Sequence, residues 1–127
     1  RETDLLDPST LVDRADAIVL AGGSSYGLAA ADGAAAVLGA RGRGFRLAER
    51  AGVPPSPIVP AAILYDLANG GNKNWGEDPP YRRLGLEAAK AVSDSPVLQG
   101  RAGAGFGANA GAEAGGLGSA SFITDDG

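Results

Sequence analysis

Glycine fills 21 of the 127 positions, about twice the average usage of roughly 7%. The glycines keep no three-residue period, so they do not build a collagen helix. They are interleaved with Val, Ile and Leu, which sets the chain apart from a plain disordered tract. Many tight turns and close backbone approaches are the remaining use for them. The hydrophobic fraction of 44% supports a packed core, yet alanine dominates it, with few aromatics and neither Met nor Cys. Layers made from such residues must approach each other closely. The length is that of one domain, which buries roughly two-thirds of its unfolded surface.

Several function classes drop out on composition. A net charge of −4 argues against nucleic acid as a partner, because counterion release needs a basic surface. The nearest basic cluster, Arg41, Arg43, Arg46 and Arg50, reads as a solvated helix end. The absence of His and Cys removes disulfides, Cys–His dyads and imidazole bases, and with them the usual zinc sites. No apolar run approaches the ~20 residues needed to span a bilayer, and no signal peptide is visible. A cytoplasmic location is therefore expected, without a membrane or a cofactor.

Along the chain, Asp7-Pro8-Ser9 reads as a turn opening a short helix near Thr10–Arg14. Ala15–Ala21 is a continuous apolar run of buried-strand length. Gly22-Gly23-Ser24-Ser25 breaks it, and Tyr26–Arg41 reads as a helix capped by Ser24 or Ser25 and ended by Gly42. A second strand is expected over Ser56–Val59, with Pro60 at its end. Both strands lack alternation and so should be buried on both faces or nearly so. Asn69–Pro80 is a polar loop holding the only Trp, Trp75. Pro80 suits the first position of a helix through Tyr81–Ser93, whose packing face would be Leu84, Ala88, Ala89 and Val92. Gly100–Gly118 is nearly pure Gly and Ala. Ser119–Thr124 is a last strand candidate, and Asp125-Asp126-Gly127 is a hairpin-turn signal.

Three places could carry chemistry. Gly105-Phe-Gly107-Ala-Asn-Ala110 fits the loose G-x-G-x-x-A dinucleotide pattern, so a nucleotide-phosphate-binding module using loop 103–111 is one reading. That pattern should follow a buried strand and open a helix, and neither flank qualifies here. Backbone packing in a Gly-rich sheet is the plainer account. Gly22–Gly27 (GGSSYG) has the layout of a nucleophile elbow, but no His stands anywhere to activate Ser25, and helix capping explains both serines. Tyr65 lies in an apolar, strand-like run beside Asp66. Composition alone makes it a core tyrosine whose hydroxyl finds a partner at the layer edge.

Six blocks in order then point to a family. They are Glu2–Pro8; Ala17-Ile-Val-Leu-Ala-Gly-Gly-Ser24 with Tyr26–Gly33; Gly42-Arg-Gly-Phe45; Ile58-Val-Pro-Ala-Ala-Ile-Leu-Tyr-Asp-Leu67; Gly103–Ala108; and Gly115-Gly-Leu-Gly-Ser-Ala-Ser121. Together they resemble the DmpA family of autoprocessing L-aminopeptidase D-amidase/esterases, to which β-peptidyl aminopeptidases and nylon-oligomer hydrolases are similar. The resemblance implies an α/β fold of the αββα sandwich type, incomplete here, with residues 1–127 as the central part of the α-subunit of a larger precursor. It implies self-cleavage before a Ser or Thr, which becomes the N-terminal nucleophile of a β-subunit. The new α-amine then serves as base, which suits a chain without His.

Residue by residue, the resemblance carries over Tyr65 as the active-site tyrosine whose hydroxyl holds the oxyanion or the substrate. Ile63 occupies the place where β-peptidyl aminopeptidases put a Glu for the substrate's free amine. An apolar residue at this substrate-binding position predicts indifference to that amine. A lysine common before the Gly115-Gly116 turn is also replaced, with Ala112 and Ala114 around Glu113, which bears on self-cleavage. The expected partners are a small peptide or amide substrate, the chain's own β-subunit and further copies in a homo-oligomer. With the nucleophile outside it, the 127-residue segment should be inactive by itself.

Overall fold

The apolar run 15–21 delivers only a short strand, β1 (Val19–Ala21), in the computed structural model, which describes residues 1–124. It pairs in parallel with β2 (Ala61–Ile63), in the register Val19 to Ala61, Leu20 to Ala62 and Ala21 to Ile63. The second strand thus starts after Pro60, not before it. Proline has no N–H to give a ladder but its carbonyl can accept, and the Pro60 carbonyl takes the Val19 N–H at 3.0 Å. The expected strand Ser56–Val59 is spent differently. Ser56 forms an isolated antiparallel bridge with Phe45. The Ile58 N–H goes to the Asp16 carboxylate and the Val59 N–H to Glu2, at 2.9 and 2.8 Å.

Between the strands the chain runs through a 3-10 turn (Ser24–Leu28) into helix α1 (Ala29–Ala40). Neither serine caps it. Gly23 precedes the 3-10 turn without a side-chain cap, and Leu28, already helical, leads into α1. The core is small, as the alanine content predicts: Ala31, Ala34, Val59 and Ala61 are buried together, with Val19, Leu28 and Leu38 packed around them. Burial of the strands is one-sided. Val59 is fully buried, but Ile18 and Leu20 are 74% and 56% exposed, because the helices cover only one face of the pair. The expectation of two-sided burial fails for β1.

Helix α2 (Tyr81–Ala91) starts directly after Pro80, close to its predicted bounds. Its predicted packing face holds at Ala89, which packs against the core, and fails at Leu84 and Val92. Gly85 is its buried residue; Leu84 and Val92 are 46% and 80% exposed. An added Cβ at Gly33 of α1 would collide with the Arg82 carbonyl oxygen, and one at Gly85 with the Ala30 carbonyl oxygen. The helices therefore touch backbone to backbone at a glycine crossing, closer than ridge-into-groove packing of larger side chains allows.

After α2 the chain is mostly irregular. Gly103–Gly105 is one 3-10 turn lying beside β1, followed by a two-residue hairpin, β3 (Asn109–Ala110) with β4 (Glu113–Ala114). Among the described residues no helix follows Gly105–Ala110, so a phosphate would find no helix N-terminus there, and the dinucleotide reading of loop 103–111 is not supported. Residues 10–14 are not helical and 119–124 are not a strand. The turn signal at 125–127 lies outside the described residues. The described residues form a mixed helix and strand structure of the α/β kind, and none of their helices is long and apolar enough to cross a membrane.

Candidate functional site

The two parallel strands end beside each other, and hydrogen bonds stitch the segment leaving β1 to the segment leaving β2. Gly23 and Ser24 both have positive φ, 84° and 52°. This left-handed pair turns successive N–H groups toward the chain leaving β2. The Gly23 N–H donates to Asp66 Oδ1 at 2.7 Å, and the Ser24 N–H to the Leu64 carbonyl at 3.0 Å. In return the Leu64 N–H donates to the Ala21 carbonyl, also at 3.0 Å. Serine in the left-handed region costs about 1–2 kcal/mol, offset here by the hydrogen bond it aims.

Tyr65 sits between the two residues so held. Its side chain is 65% exposed, and the hydrogen bonds of the described residues include none from its hydroxyl. The core-tyrosine expectation is therefore wrong. Ile63 is 38% exposed, and its Cγ2 would stand 3.2 Å from a Cβ placed on Gly27. The two residues singled out from the sequence are thus both exposed at the end of β2.

Asp66 faces a cleft of about 700 Å³ between α2, the segment 101–107 and the edge of β1 turned away from β2. Leu20, Leu84, Ala88 and Phe106 make its walls apolar. Neither Tyr65 nor Ile63 lines it. Its cations are committed to backbone: Arg101 donates to the Phe106 carbonyl at 2.8 Å and Lys73 to the Gly70 carbonyl. Neither pairs with Asp66 among the described residues. The Asp66 carboxylate also fills the space a side chain would need at Gly22 and at Gly107.

Above the Gly22-Gly23 turn stands an aromatic trio. Trp75 packs edge-to-face on Tyr26 and on Tyr81, each at a centroid distance of 5.9 Å, an arrangement favoured by the ring quadrupoles. The Tyr81 ring occupies the place of a Gly23 side chain. Burial, helped by the nearby Asp66 carboxylate, raises the Tyr81 hydroxyl above its ordinary pKa. Sequence reasoning missed Asp66 and this trio. The available signal was an acid at the end of one parallel strand in a chain whose other strand ends in Gly-Gly.

The comparisons with known proteins agree with the motif order. The chain is 43% identical over 131 residues to an uncharacterized aminopeptidase of Mycobacterium leprae (strain TN), covering 100% of this chain and 35% of that protein. It is 46% identical over 127 residues to an uncharacterized aminopeptidase of Mycobacterium tuberculosis (strain ATCC 25618 / H37Rv), covering 100% and 34%. It is also 37% identical over 95 residues to a 6-aminohexanoate-oligomer endohydrolase of Kocuria sp. (strain KY2), covering 75% and 24%. The chain spans about a third of the length of the first two relatives. The model of Peptidase family S58, the DmpA family, matches residues 1–127. With its motifs in order from Glu2 to Ser121 and that match over its whole length, the chain belongs to peptidase family S58.

Proposed function

We propose that residues 1–127 are the central part of the α-subunit of a self-cleaving N-terminal-nucleophile hydrolase, acting on amide or peptide bonds as an aminopeptidase or amidase. The observation that carries this reading is Tyr65: an exposed tyrosine whose hydroxyl has no hydrogen-bond partner among the described residues, on a backbone fixed on both sides. A phenol so held suits the task of donating to a charge that develops only during reaction. The names of the relatives supply the chemistry, since an aminopeptidase and an oligomer endohydrolase both hydrolyse amide bonds.

In this reading the precursor cleaves before a Ser or Thr outside the segment. The freed α-amine takes the nucleophile's proton as its oxygen attacks the amide carbonyl. Tyr65 donates a hydrogen bond to the resulting oxyanion. Collapse expels the amine, which takes up the proton, and water hydrolyses the acyl-enzyme. The complete fold is the αββα sandwich, in which the two helices form one outer layer on β1 and β2. The β-subunit is the partner that supplies the nucleophile and covers exposed apolar surface such as Leu20. The enzyme is a cytoplasmic homo-oligomer.

Ile63 separates the two substrate classes that the relatives' names offer. An isoleucine beside Tyr65 cannot pair with an ammonium, so the complete enzyme is expected to hydrolyse an N-acetylated amide substrate as readily as its free-amine counterpart, within about tenfold in kcat/KM, the worth of one ordinary polar contact. Steady-state kinetics on the two substrates test this. A strict requirement for the free amine would overturn the role given to Ile63. Absence of amide hydrolysis by the processed enzyme on both would overturn the function.

A further inference from the structure

We propose that Asp66 is a positioning residue for Tyr65: its carboxylate holds the backbone that aims the tyrosine hydroxyl. The inference rests on the reading of Tyr65 as the oxyanion donor, and adds a residue to it. Tyr65 makes few contacts of its own, being 65% exposed. Its direction is set by its two neighbours in the chain. On the Leu64 side, two backbone hydrogen bonds join the Ala21–Ser24 turn at 3.0 Å. On the other side, the link to that turn among the described residues is the bond from the Gly23 N–H to Asp66 Oδ1, at 2.7 Å.

Asp66 also closes a second loop. Its carbonyl accepts the Asn69 N–H at 2.9 Å, and the Asn69 amide donates to the Gly107 carbonyl at 2.8 Å. A Cβ placed on Gly107 would lie 2.7 Å from Asp66 Oδ2, so the Gly-rich segment rests directly on the carboxylate. Gly22 is excluded from carrying a side chain by the same group. Three separate stretches, 22–24, 64–69 and 105–107, therefore meet at one carboxyl group. A carboxylate that accepts a backbone N–H makes a stronger bond than a neutral acceptor would, and fixed donors lose effectiveness when displaced by as little as ~1 Å. No ion pair among the described residues consumes the charge.

The test is a double-mutant cycle on the processed, complete enzyme, with kcat and KM measured for an amide substrate. Asp66→Ala is expected to lower kcat about tenfold with KM changed less than about twofold, the loss of one charge-assisted contact acting on the transition state. Asp66→Asn keeps an oxygen to accept the Gly23 N–H and is expected to restore kcat to within about threefold of wild type. In a Tyr65→Phe background, Asp66→Ala is expected to cost nothing further, because two residues acting through one contact are not additive. A destabilised scaffold would lose activity equally in both backgrounds.

Wild-type kcat in Asp66→Ala, or a loss that persists undiminished in Tyr65→Phe, overturns the proposal. So does failure of Asn to rescue. Should Asp66→Ala yield no folded protein, Gly107→Ala decides, since its methyl pushes the carboxylate off the Gly23 N–H. It is expected to lower kcat several-fold only when Tyr65 is present, and wild-type kcat there is the contrary result. The two readings fail separately. Wild-type turnover in Tyr65→Phe removes Tyr65 from the site and Asp66 with it, whereas an impaired Tyr65→Phe beside an unimpaired Asp66→Ala removes Asp66 alone.

Discussion

Replacing Tyr65 by phenylalanine in the complete enzyme is expected to lower kcat by on the order of 10²-fold or more, the usual cost of removing one oxyanion donor. Stability should hardly move. The side chain is 65% exposed, and an exposed substitution away from any special contact changes stability by about 0.5 kcal/mol or less. The two effects together are diagnostic. A tyrosine whose hydroxyl closed a structural hydrogen bond would show the reverse pattern, a loss of about 0.5–1.5 kcal/mol with little change in turnover. Thermal unfolding and steady-state kinetics on the same preparation separate the outcomes. KM should stay near the wild-type value, because the bond forms only as charge develops.

The largest stability effects are expected at the α1–α2 crossing. Alanine is the better helix former by about 1 kcal/mol, so Gly33→Ala and Gly85→Ala would stabilise an isolated helix. In the protein each new methyl would run into the carbonyl oxygen of the facing helix. Backbone cannot swing aside as a side chain can, so the helices must separate and loosen the packing of Ala89 against the small core. Overpacking of this kind costs about 1–3 kcal/mol and sometimes more, which exceeds the propensity gain. Both variants should therefore be destabilised, by denaturant or thermal unfolding of the complete protein. Gly39→Ala is the internal control. It lies in α1 with its nearest neighbour, Pro57 Cγ, at an ordinary 3.6 Å from the new Cβ, and should stabilise by up to about 1 kcal/mol. A stabilised Gly85→Ala would mean that the helices do not meet as described.

These glycines also mark how far the sequence could be read. The strand, Gly-Gly turn and helix of residues 19–40 were legible because an apolar run, a double glycine and an alanine-rich stretch say the same thing three ways. Helix α2 was legible from Pro80 and the spacing after it. Its packing face was legible only at Ala89, since a hydrophobic pattern also nominates Leu84 and Val92, while the contact with α1 is made at Gly85, the residue with no side chain at all. The start of β2 was misplaced for a related reason. Pro60 looks like a strand end when only donors are counted, yet its carbonyl accepts the first bond of the ladder.

Burial was harder still. Ile18 and Leu20 stand in a run that reads as core, and only the one-sided helix layer leaves them exposed; Tyr65, in a second such run, is exposed past the end of β2. Ser119–Thr124 has strand composition, but β-propensity needs a neighbouring strand to act on, and none is beside it among the described residues. Of the candidate site, Tyr65 and Ile63 were nominated through motif order; periodicity did not pick them out. Asp66 was invisible because the stretches that meet at its carboxylate lie far apart in the chain, and no local pattern connects them.

The central claim is that this chain belongs to an enzyme that makes its own nucleophile by cutting itself. Intact-mass spectrometry of the purified complete precursor, with the N-terminus of each product read by sequencing, tests it without any choice of substrate. Two polypeptides are expected, their masses adding to that of the precursor plus one water, with the 127 residues in the first and Ser or Thr at the start of the second. Replacing that residue by alanine should leave a single uncut chain. A precursor that stays whole while hydrolysing amides, or a second polypeptide that starts with neither Ser nor Thr, would contradict the account.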